Sequence, residues 1–421
     1  MVITHQIIIW SKLNNMSFWD TEPAKPEFIF ENEKRKLIDN MNYLMTMSVE
    51  EQTLYKKWVE LQEDSMIRDK SIMASYYDVQ WKPTDINNKE LTIQEIEALD
   101  PYAEIVDGDA ALGTKWTYLR RMIHTMSWTA NPGRNVKIFI KDRTSGKLLG
   151  LVSLASDVTS MGVRDKYIGW NKDNKFKDGK LNYTTIASSI VCTQPLGYNF
   201  LGGKLTAMMT TLPEVREFWK RKYGQTLIAV GTTSLYGIHS QYNGIPHFKT
   251  LGESAGKISL KPDDEFYEPW HQWIKENRAE WYEKAITNER IRNGKSMGTG
   301  KGASGPVSGI KQKILGQIFK ECGIKQTEYH HGFKRGVYLA MMYENGPEFL
   351  RSEIEESELV MKKKFVEGQE NINNWWKRQA IKRYSKLHDT NRLKPEHLYY
   401  VDGISVSWED FKQQRLSEVG R

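Results

Sequence analysis

Cysteine is scarce in this chain: only Cys192 and Cys322 occur among 421 residues. Two thiols allow one disulfide at most, which excludes the disulfide framework of a small secreted domain. The nine histidines show no metal-type spacing with these cysteines, and the adjacent His330 and His331 would not share a helix face. We therefore expect no metal site, and a reducing cytoplasm suits this content.

Long apolar runs are missing as well. The run Ile7–Trp10 is too short for the apolar part of a secretion signal, and no stretch approaches the length of a membrane-spanning helix. The expectation is a cytoplasmic protein without a membrane partner. With 39% hydrophobic and 27% charged residues, the chain can bury cores for two or three domains.

Positive charge is in modest excess, with 60 Lys and Arg against 53 Asp and Glu. This balance suits a polyanionic partner such as DNA, although a merely basic soluble protein has the same balance. From Met361 to Leu393, nine basic residues occur against three acidic ones. This segment predicts DNA contact, with a solvated helix face as the alternative. The candidate residues are Lys362, Lys363, Lys364, Lys377, Arg378, Lys382 and Arg383.

The centre of the chain predicts a strand, a glycine-containing turn, a helix and a second strand. Ser189–Thr193 and Leu227–Thr233 are apolar strand patterns, and Lys204–Tyr223 has the periodicity of a helix. Pro213 should kink or split that helix, and Gly224 should end it. The four elements together predict a βαβ unit.

The turn of this unit is a candidate anion site. Gly197, Gly202 and Gly203 would let phosphates approach the backbone, and Lys204 opens the predicted helix. Unpaired N–H groups and the helix dipole favour negative charge there. The alternative is that these glycines only form a tight turn, because isolated glycine turns are weak signals.

Flanking patterns predict an order of elements around this unit. Thr92, followed three residues later by Glu95, has capping-box spacing at the start of a short helix. The other predicted helices are Glu31–Met45, Val49–Met66, Ala111–Trp128, Glu268–Ile286, Ile310–Cys322 and Arg351–Tyr384. The other predicted strands are a hairpin of Val136–Lys141 and Lys147–Ala155, then Lys257–Leu260 and Gly336–Tyr343.

These patterns divide the chain into five parts. Gly294–Gly309 contains six glycines in sixteen residues, which predicts a flexible linker. The expected parts are an N-terminal helical arm (1–105), a core (106–290), the linker (291–309), the remainder of the core region (310–350) and a basic helical C-terminal segment (351–421).

The order helix, hairpin, strand, glycine turn, helix, strand resembles the GNAT acyltransferase fold. The resemblance implies an α/β protein with a mixed sheet flanked by helices and with helical extensions at both ends. It also implies that a splayed central strand pair and a helix N-terminus hold acyl-coenzyme A. Gly197, Gly202 and Gly203 would be the counterparts of its pyrophosphate loop.

Several segments also resemble the DruA family, which is named for a component of a bacterial anti-phage system and looks distantly similar to Mom-type phage DNA-modification proteins. The matching segments are Arg164–Asn171, Phe218–Gly224, Tyr242–Gly256 and Lys334–Leu350. DruA relatives commonly carry an acidic residue at the end of the second strand of the βαβ unit. Here Thr232–Tyr236 contains no carboxylate.

The resemblance assigns Tyr242 the role of protonating a leaving thiolate; a packed aromatic residue is the alternative. Asp157 and Asp165 are candidates to replace the missing acid, with a turn aspartate and a local ion pair as the alternatives. Trp170 and Tyr198 are candidates to stack on a base, against simple core packing.

Three functions remain open at this point. The first is DNA modification by acyl or related group transfer to a base amine, which the glycine turn and Tyr242 favour. The second is non-catalytic nucleic-acid binding, which the missing carboxylate favours. The third is acyl transfer to a small molecule or a protein.

Overall fold

The computed structural model describes residues 28–63, 79–128, 133–234, 241–254, 256–287, 305–394 and 407–419. This part of the chain contains nine β-strands in two sheets. They are β1 (Pro101–Ile105), β2 (Asn135–Asp142), β3 (Leu148–Ser156), β4 (Thr184–Cys192), β5 (Ala229–Ser234), β6 (Lys249–Ser254), β7 (Lys257–Ser259), β8 (His330–Gly332) and β9 (Arg335–Met341).

Helices surround the larger sheet. Those described are α1 (Phe30–Thr46), α2 (Val49–Glu63), α3 (Lys89–Ala98), α4 (Ala110–Ile123), α5 (Gly162–Ile168), α6 (Leu196–Phe200), α7 (Gly202–Met208), α8 (Pro213–Tyr223), α9 (Tyr267–Asn277), α10 (Ala279–Tyr282), α11 (Gly305–Glu321), α12 (Gly346–Leu350), α13 (Lys363–Val366), α14 (Gly368–Asp389) and α15 (Trp408–Val419). None of these helices is long and apolar enough to cross a bilayer.

The larger sheet has seven strands in the order β1-β2-β3-β4-β5-β9-β6. Its pairs are antiparallel except β4 and β5, which run parallel. Strand β9 lies between β5 and β6 although it follows both in sequence. The smaller sheet pairs β7 with β8. The predicted mixed sheet is therefore confirmed.

Both faces of the larger sheet are buried. Successive side chains of a strand point to opposite faces, so each strand contributes to two cores. Ile138 and Ile140 of β2 belong to one core, to which α7, α8 and α14 contribute. Phe139, between them, belongs to a second core with α2 and α4. A third core joins Leu37 of α1 to Trp270 of α9 and to the apolar face of α11. The prediction of a sheet flanked by helices is confirmed.

Helix α8 shows how the sequence sets the ends of an element. Pro213 occupies its first turn, where a missing N–H costs little, and it separates α8 from α7. Gly224 ends the helix with φ +79°, a left-handed conformation that glycine adopts readily. The split at Pro213 and the stop at Gly224 were both predicted, and both are confirmed.

Two predicted helix ends are wrong. Helix α4 ends at Ile123 rather than Trp128, because the backbone turns at His124, whose Nδ1 accepts a hydrogen bond from the Met126 N–H. Helix α3 is capped by Asn88, which accepts from the Leu91 N–H at 3.1 Å. Thr92 is buried inside that helix, so the capping box does not form.

The predicted helix Arg351–Tyr384 is also wrong in its first half. The chain there doubles back along the end of β9: the Glu344 N–H donates to Val360 O, and the Lys362 N–H donates to Met342 O. Gly368 then adopts φ +68°, which a continuous helix does not accommodate. Helix α14 begins at this glycine.

The sequence patterns missed three strands, β1, β6 and β8. Strand β1 lies within the predicted arm 1–105 and pairs with β2. The predicted linker lies mostly outside the described residues, and its last five positions, 305–309, already belong to α11.

Candidate functional site

The two parallel strands at the centre of the sheet separate along their length. Backbone pairing joins β4 and β5 at three positions only, from Thr184 with Ala229 to Ile186 with Gly231. Strand β4 continues to Cys192 and β5 to Ser234, but their later residues are not paired with each other. The strands therefore diverge toward their C-terminal ends, and we call the region between these ends the β4–β5 cleft.

A β-bulge marks the start of this cleft. Ser153 of β3 faces Ser189 and Leu154 faces Ala187, so Ser188 is an extra residue of β4. Ser188 is exposed although it belongs to a central strand. The bulge therefore opens the middle of the sheet to solvent.

Side chains bond to the β4 backbone inside the cleft, where strand pairing is lost. The Thr232 hydroxyl donates to Ala187 O at 3.1 Å, and Nε2 of Gln241 donates to Ile190 O at 3.2 Å. These bonds satisfy carbonyl groups that a neighbouring strand would otherwise satisfy. Gln241 thus fills the space between the strands.

Tyr242 lies in the same cleft and is 7% exposed. Its ring stands edge-on to Tyr338 of β9, with centroids 5.3 Å apart. Burial raises the pKa of Tyr242, and hydrogen bonds with Gln241 and Thr232 offset part of that rise. The phenol is therefore protonated at neutral pH and can donate a proton or a hydrogen bond.

The four predicted cofactor residues meet at one end of the cleft, directly after β4. The chain itself covers the glycines: a β-carbon at Gly197 would lie 2.6 Å from Nε2 of Gln194, and one at Gly203 would overlap Oε1 of Gln241. A β-carbon at Gly202 would lie 2.8 Å from Cγ of Leu196. The Lys204 ammonium donates to the Asn243 carbonyl, and burial lowers the pKa of this lysine.

The position of the Gln241 side chain beside Gly203 affects whether the glycine turn can bind a phosphate-bearing cofactor. As placed, Gly203 faces Gln241 rather than open space, so the glycine cradle does not fit a pyrophosphate until that side chain moves. Coenzyme A binding at these residues therefore stays a prediction.

The two predicted catalytic aspartates lie elsewhere, beside the first residue of β4. Oδ1 of Asp157 pairs with Nη1 of Arg164 at 2.5 Å, and both side chains are 1% exposed. The Thr184 hydroxyl donates to the other Asp157 oxygen at 2.6 Å. Burial raises the pKa of Asp157, although Arg164 and Thr184 oppose that rise.

Asp165 extends this charged cluster. It accepts from Arg164 at 2.7 Å and from Lys175 at 2.5 Å. Partial burial favours the neutral acid, but the bonds from Lys175 and Arg164 outweigh it and hold the pKa of Asp165 below its usual value. Both aspartates are thus engaged by cations that are themselves buried.

Distance along β4 separates the aspartates from the glycine turn. Thr184 and Cys192 are eight residues apart in the strand, which at about 3.3 Å per residue spans about 26 Å. The predicted catalytic and cofactor residues therefore do not form one site around the turn, although Tyr242 lies close to it. Strand β5 ends in Thr232, Thr233 and Ser234 and supplies no carboxylate to the cleft.

Trp170, a predicted stacking residue, is packed within the aspartate cluster. Its indole N–H donates to Leu350 O at 2.7 Å. The Arg164 guanidinium and the Lys175 ammonium lie 5.1 and 5.4 Å from its ring centre. Its ring therefore contacts the protein, and stacking on a base stays a prediction.

Tyr198, the other predicted stacking residue, lies in α6 beside the glycine turn. Two cations lie near its ring, Arg383 of α14 at 5.2 Å and Lys394 at 5.0 Å. Helices α6 and α14 are in contact, and the Lys394 backbone bonds to the side chain of Asn199. The basic C-terminal helix thus meets the glycine turn.

The predicted DNA-contacting residues divide by exposure. Lys363 (91% exposed side chain), Arg378 and Lys382 face solvent. Lys364 and Lys377 donate to backbone carbonyl groups of Pro246 and Glu97. Lys362 and Arg383 are half-buried.

Sequence reasoning missed several residues of this region. Gln241 precedes Tyr242 in a polar stretch, and no periodicity marked it. Ser188 belongs to a bulge, which strand patterns do not reveal. Lys394 follows the basic segment by one residue, and its charge was an available signal. Within the described residues, no group of three or more His, Cys, Asp or Glu is placed to hold a metal ion.

Comparison with known proteins now identifies the family. The family model described as "Druantia protein DruA" matches residues 92–352, more than half of the chain. The Druantia protein DruA of Escherichia coli (strain UMEA 4076-1) is 24% identical over 242 residues, which span 52% of this chain and 54% of that protein. The alignment thus spans about half of the curated relative. No solved structure matches. The matched region contains the β4–β5 cleft, the glycine turn and the aspartate cluster, and the chain belongs to the DruA family.

Proposed function

We propose that this protein is a nucleic-acid-binding component of an anti-phage system of the DruA type, and that α14 carries its DNA-binding surface. The observation behind the proposal is a stripe of exposed cations on that helix. Arg378, Lys382 and Lys386 follow one another at four-residue intervals, so they lie on one side at successive turns, about 6 Å apart. We call them the α14 stripe.

The opposite side of α14 anchors it to the protein. Trp376 and Tyr384 are fully buried, with hydrogen bonds to Phe200 O at 2.9 Å and to Ile86 O at 2.7 Å. The stripe is therefore held on an anchored helix, so its backbone needs no ordering when the ammonium and guanidinium groups meet phosphates. Arg383 and Lys394 extend the positive surface toward the glycine turn.

Fluorescence anisotropy with duplex and single-stranded DNA tests this proposal. Affinity should fall steeply with salt, because each phosphate contact releases counterions. The double variant Arg378→Glu with Lys382→Glu should weaken binding and lower the salt slope by about 1 for each phosphate that the helix no longer neutralises. Lys325→Glu is the control for the single variant Lys382→Glu, which changes the net charge by the same amount, because Lys325 is exposed in a different part of the chain. Equal affinity of Lys382→Glu and Lys325→Glu, or no binding at low salt, would exclude this surface.

Group transfer to a base amine is a second candidate function, which the position of Tyr242 in the β4–β5 cleft supports. A protonated hydroxyl between the separated strands can donate a hydrogen bond to a leaving group, although its raised pKa makes it a weaker acid than a free tyrosine. The aspartates at the other end of β4 do not support it, because their oxygens are engaged by buried cations. Mass spectrometry of nucleosides from DNA of expressing cells tests this candidate. If the nucleosides are unmodified and the protein does not bind coenzyme A, group transfer is excluded and DNA binding is the remaining candidate function.

A further inference from the structure

A cavity of about 350 Å³ lies apart from the β4–β5 cleft and from the α14 stripe. Its walls come from α8, from the residues before β5, from the end of β9 and from the segment Glu356–Met361. It therefore opens near the N-terminal end of β5, whereas the β4–β5 cleft lies toward the C-terminal ends of the strands. A cavity of this size is large enough for a small organic ligand.

Arg216 of α8 is short of hydrogen-bond acceptors in this cavity. Its Nη2 donates to Phe365 O at 3.0 Å, but its Nη1 has only the Met361 sulfur, at 2.5 Å. Its Nε is buried and makes no hydrogen bond within the described residues. A thioether is a weak acceptor, so this guanidinium lacks the oxygen partners that it normally takes.

In the described part of the chain no carboxylate lies within ion-pair distance of Arg216, although Glu214 and Glu217 of the same helix act on its charge from farther away. The other cation of the cavity, Lys220, already pairs with Glu356 at 3.1 Å. Thr226 also donates to that carboxylate. The cavity therefore holds one guanidinium that an incoming anion could neutralise.

Apart from these polar groups and the exposed Glu217 of α8, the lining is apolar and includes one aromatic ring. Leu227 and Tyr343 are buried, and Leu359 and Met361 complete this wall. Such a surface suits a flat or aliphatic body rather than a hydrated inorganic ion. The size, the guanidinium without a carboxylate partner and the apolar wall describe a ligand with one anionic group on a small hydrophobic body.

We propose that this cavity is a second ligand site, which binds a small organic anion through a forked contact between its oxygens and Arg216. A carboxylate and a phosphate monoester share the required chemistry, because both present two oxygens to a guanidinium. This proposal does not require that α14 binds DNA or that any chemistry takes place in the β4–β5 cleft.

Ligand binding should also fix the segment that leads into α14. Met361 and Phe365 are both partners of Arg216, and they lie just before that helix. An anion that orders the guanidinium would hold this segment against α8. Hydrogen exchange of backbone amides at 359–366 should slow on binding, while exchange in α4, which packs in the core on the other face of the sheet, should not change.

Calorimetric titration of the full chain with phenyl phosphate, benzoate and benzyl alcohol tests the proposal. We expect the two anions to bind and the uncharged alcohol to bind much more weakly. Arg216→Gln should weaken anion binding by roughly tenfold or more, since it removes the charge-assisted hydrogen bonds to the anion. Arg221→Gln is the matched control on the same helix: its side chain is 68% exposed and pairs with Asp107 outside the cavity.

A second variant protects the test against misfolding. Leu359→Trp keeps Arg216 but fills the cavity, so it should also abolish anion binding and the slowed exchange at 359–366. The proposal is overturned if neither anion binds the wild-type chain, or if folded Arg216→Gln or Leu359→Trp binds them as the wild type does. It is also overturned if Arg221→Gln loses binding to the same extent as Arg216→Gln, because a general surface charge would then explain the effect.

Discussion

The side chain of Gln241 lies against the α-carbon of Gly203, and it reaches the backbone carbonyl of Ile190 from there. A β-carbon at position 203 would overlap the Gln241 amide, so any residue larger than glycine requires that side chain to move. The requirement comes from the packing of the chain on itself, in addition to any ligand that the turn binds.

We expect Gly203→Ala to destabilise the protein by about 1–3 kcal/mol, because the new methyl group must displace Gln241. Gln241→Ala in the same chain should restore much of that loss. A double-mutant cycle by urea denaturation measures the coupling between the two positions. Additive effects would show that the two side chains do not share this space.

Removal of Gln241 alone also tests the glycine turn as a cofactor site. If the turn binds a phosphate-bearing donor, Gln241→Ala should strengthen binding of acetyl-coenzyme A, because the space beside Gly203 becomes free. Calorimetric titration of both proteins measures the difference. If the wild type binds acetyl-coenzyme A and Gln241→Ala binds it equally well, the donor binds at a place other than the glycine turn.

We expect the buried ion pair of Asp157 and Arg164 to stabilise the fold. Asp157→Ala leaves the Arg164 charge with Asp165 as its remaining acidic partner, and breaking a buried pair costs about 3–5 kcal/mol. Asp107→Ala, which breaks the exposed pair with Arg221, should cost less than about 1 kcal/mol. Chemical denaturation of both variants checks this contrast. A fully stable Asp157→Ala protein that lost an activity would instead favour a catalytic aspartate.

Acid should destabilise the fold partly through His247. This side chain is 5% exposed and bonds to Thr211 at 2.7 Å. Burial, with the nearby charges of Lys364 and Arg216, lowers the pKa of His247 from 6.5 to about 4. A histidine whose folded pKa is depressed stabilises the fold fully above its unfolded pKa, and this contribution is lost as pH falls from 6.5 toward 4.

The loss from His247 should reach about 3 kcal/mol at the acid end of that range. His247→Gln can keep a bond to Thr211 but does not titrate, so its stability should depend less on pH than that of the wild type. Urea denaturation at several pH values gives the difference. Parallel curves for the two proteins would contradict the assignment. His124, whose pKa burial also lowers, adds an effect of the same sign that remains in both proteins.

Local signals predicted the elements whose ends depend on single residues. Pro213 and Gly224 set the ends of α8 through their own backbone geometry, and the hairpin pattern of Val136–Lys141 and Lys147–Ala155 predicted β2 and β3. These rules act within a few residues, so one sequence is enough to apply them.

Long-range contacts account for what the sequence could not predict. Strand β6 reads as a polar loop because β9, some eighty residues later, supplies its backbone partner. Gln241 and Ser188 belong to the site because β4 and β5 separate there, and this separation depends on strand pairing that a sequence pattern does not reveal. The basic segment was predicted from composition, but which of its lysines face solvent depends on the packing of α14.

The position of β9 between β5 and β6 also constrains how the chain is made. A ribosome completes β5 and β6 long before it reaches Met341, so the nascent sheet has β5 with an open edge and β6 without its neighbour. Exposed strand edges are sites of aggregation until they are paired. Chains cut short between Ile286 and Arg335 should therefore be insoluble when expressed alone, and a separately made C-terminal piece that carries β9 should rescue them by completing the sheet in trans.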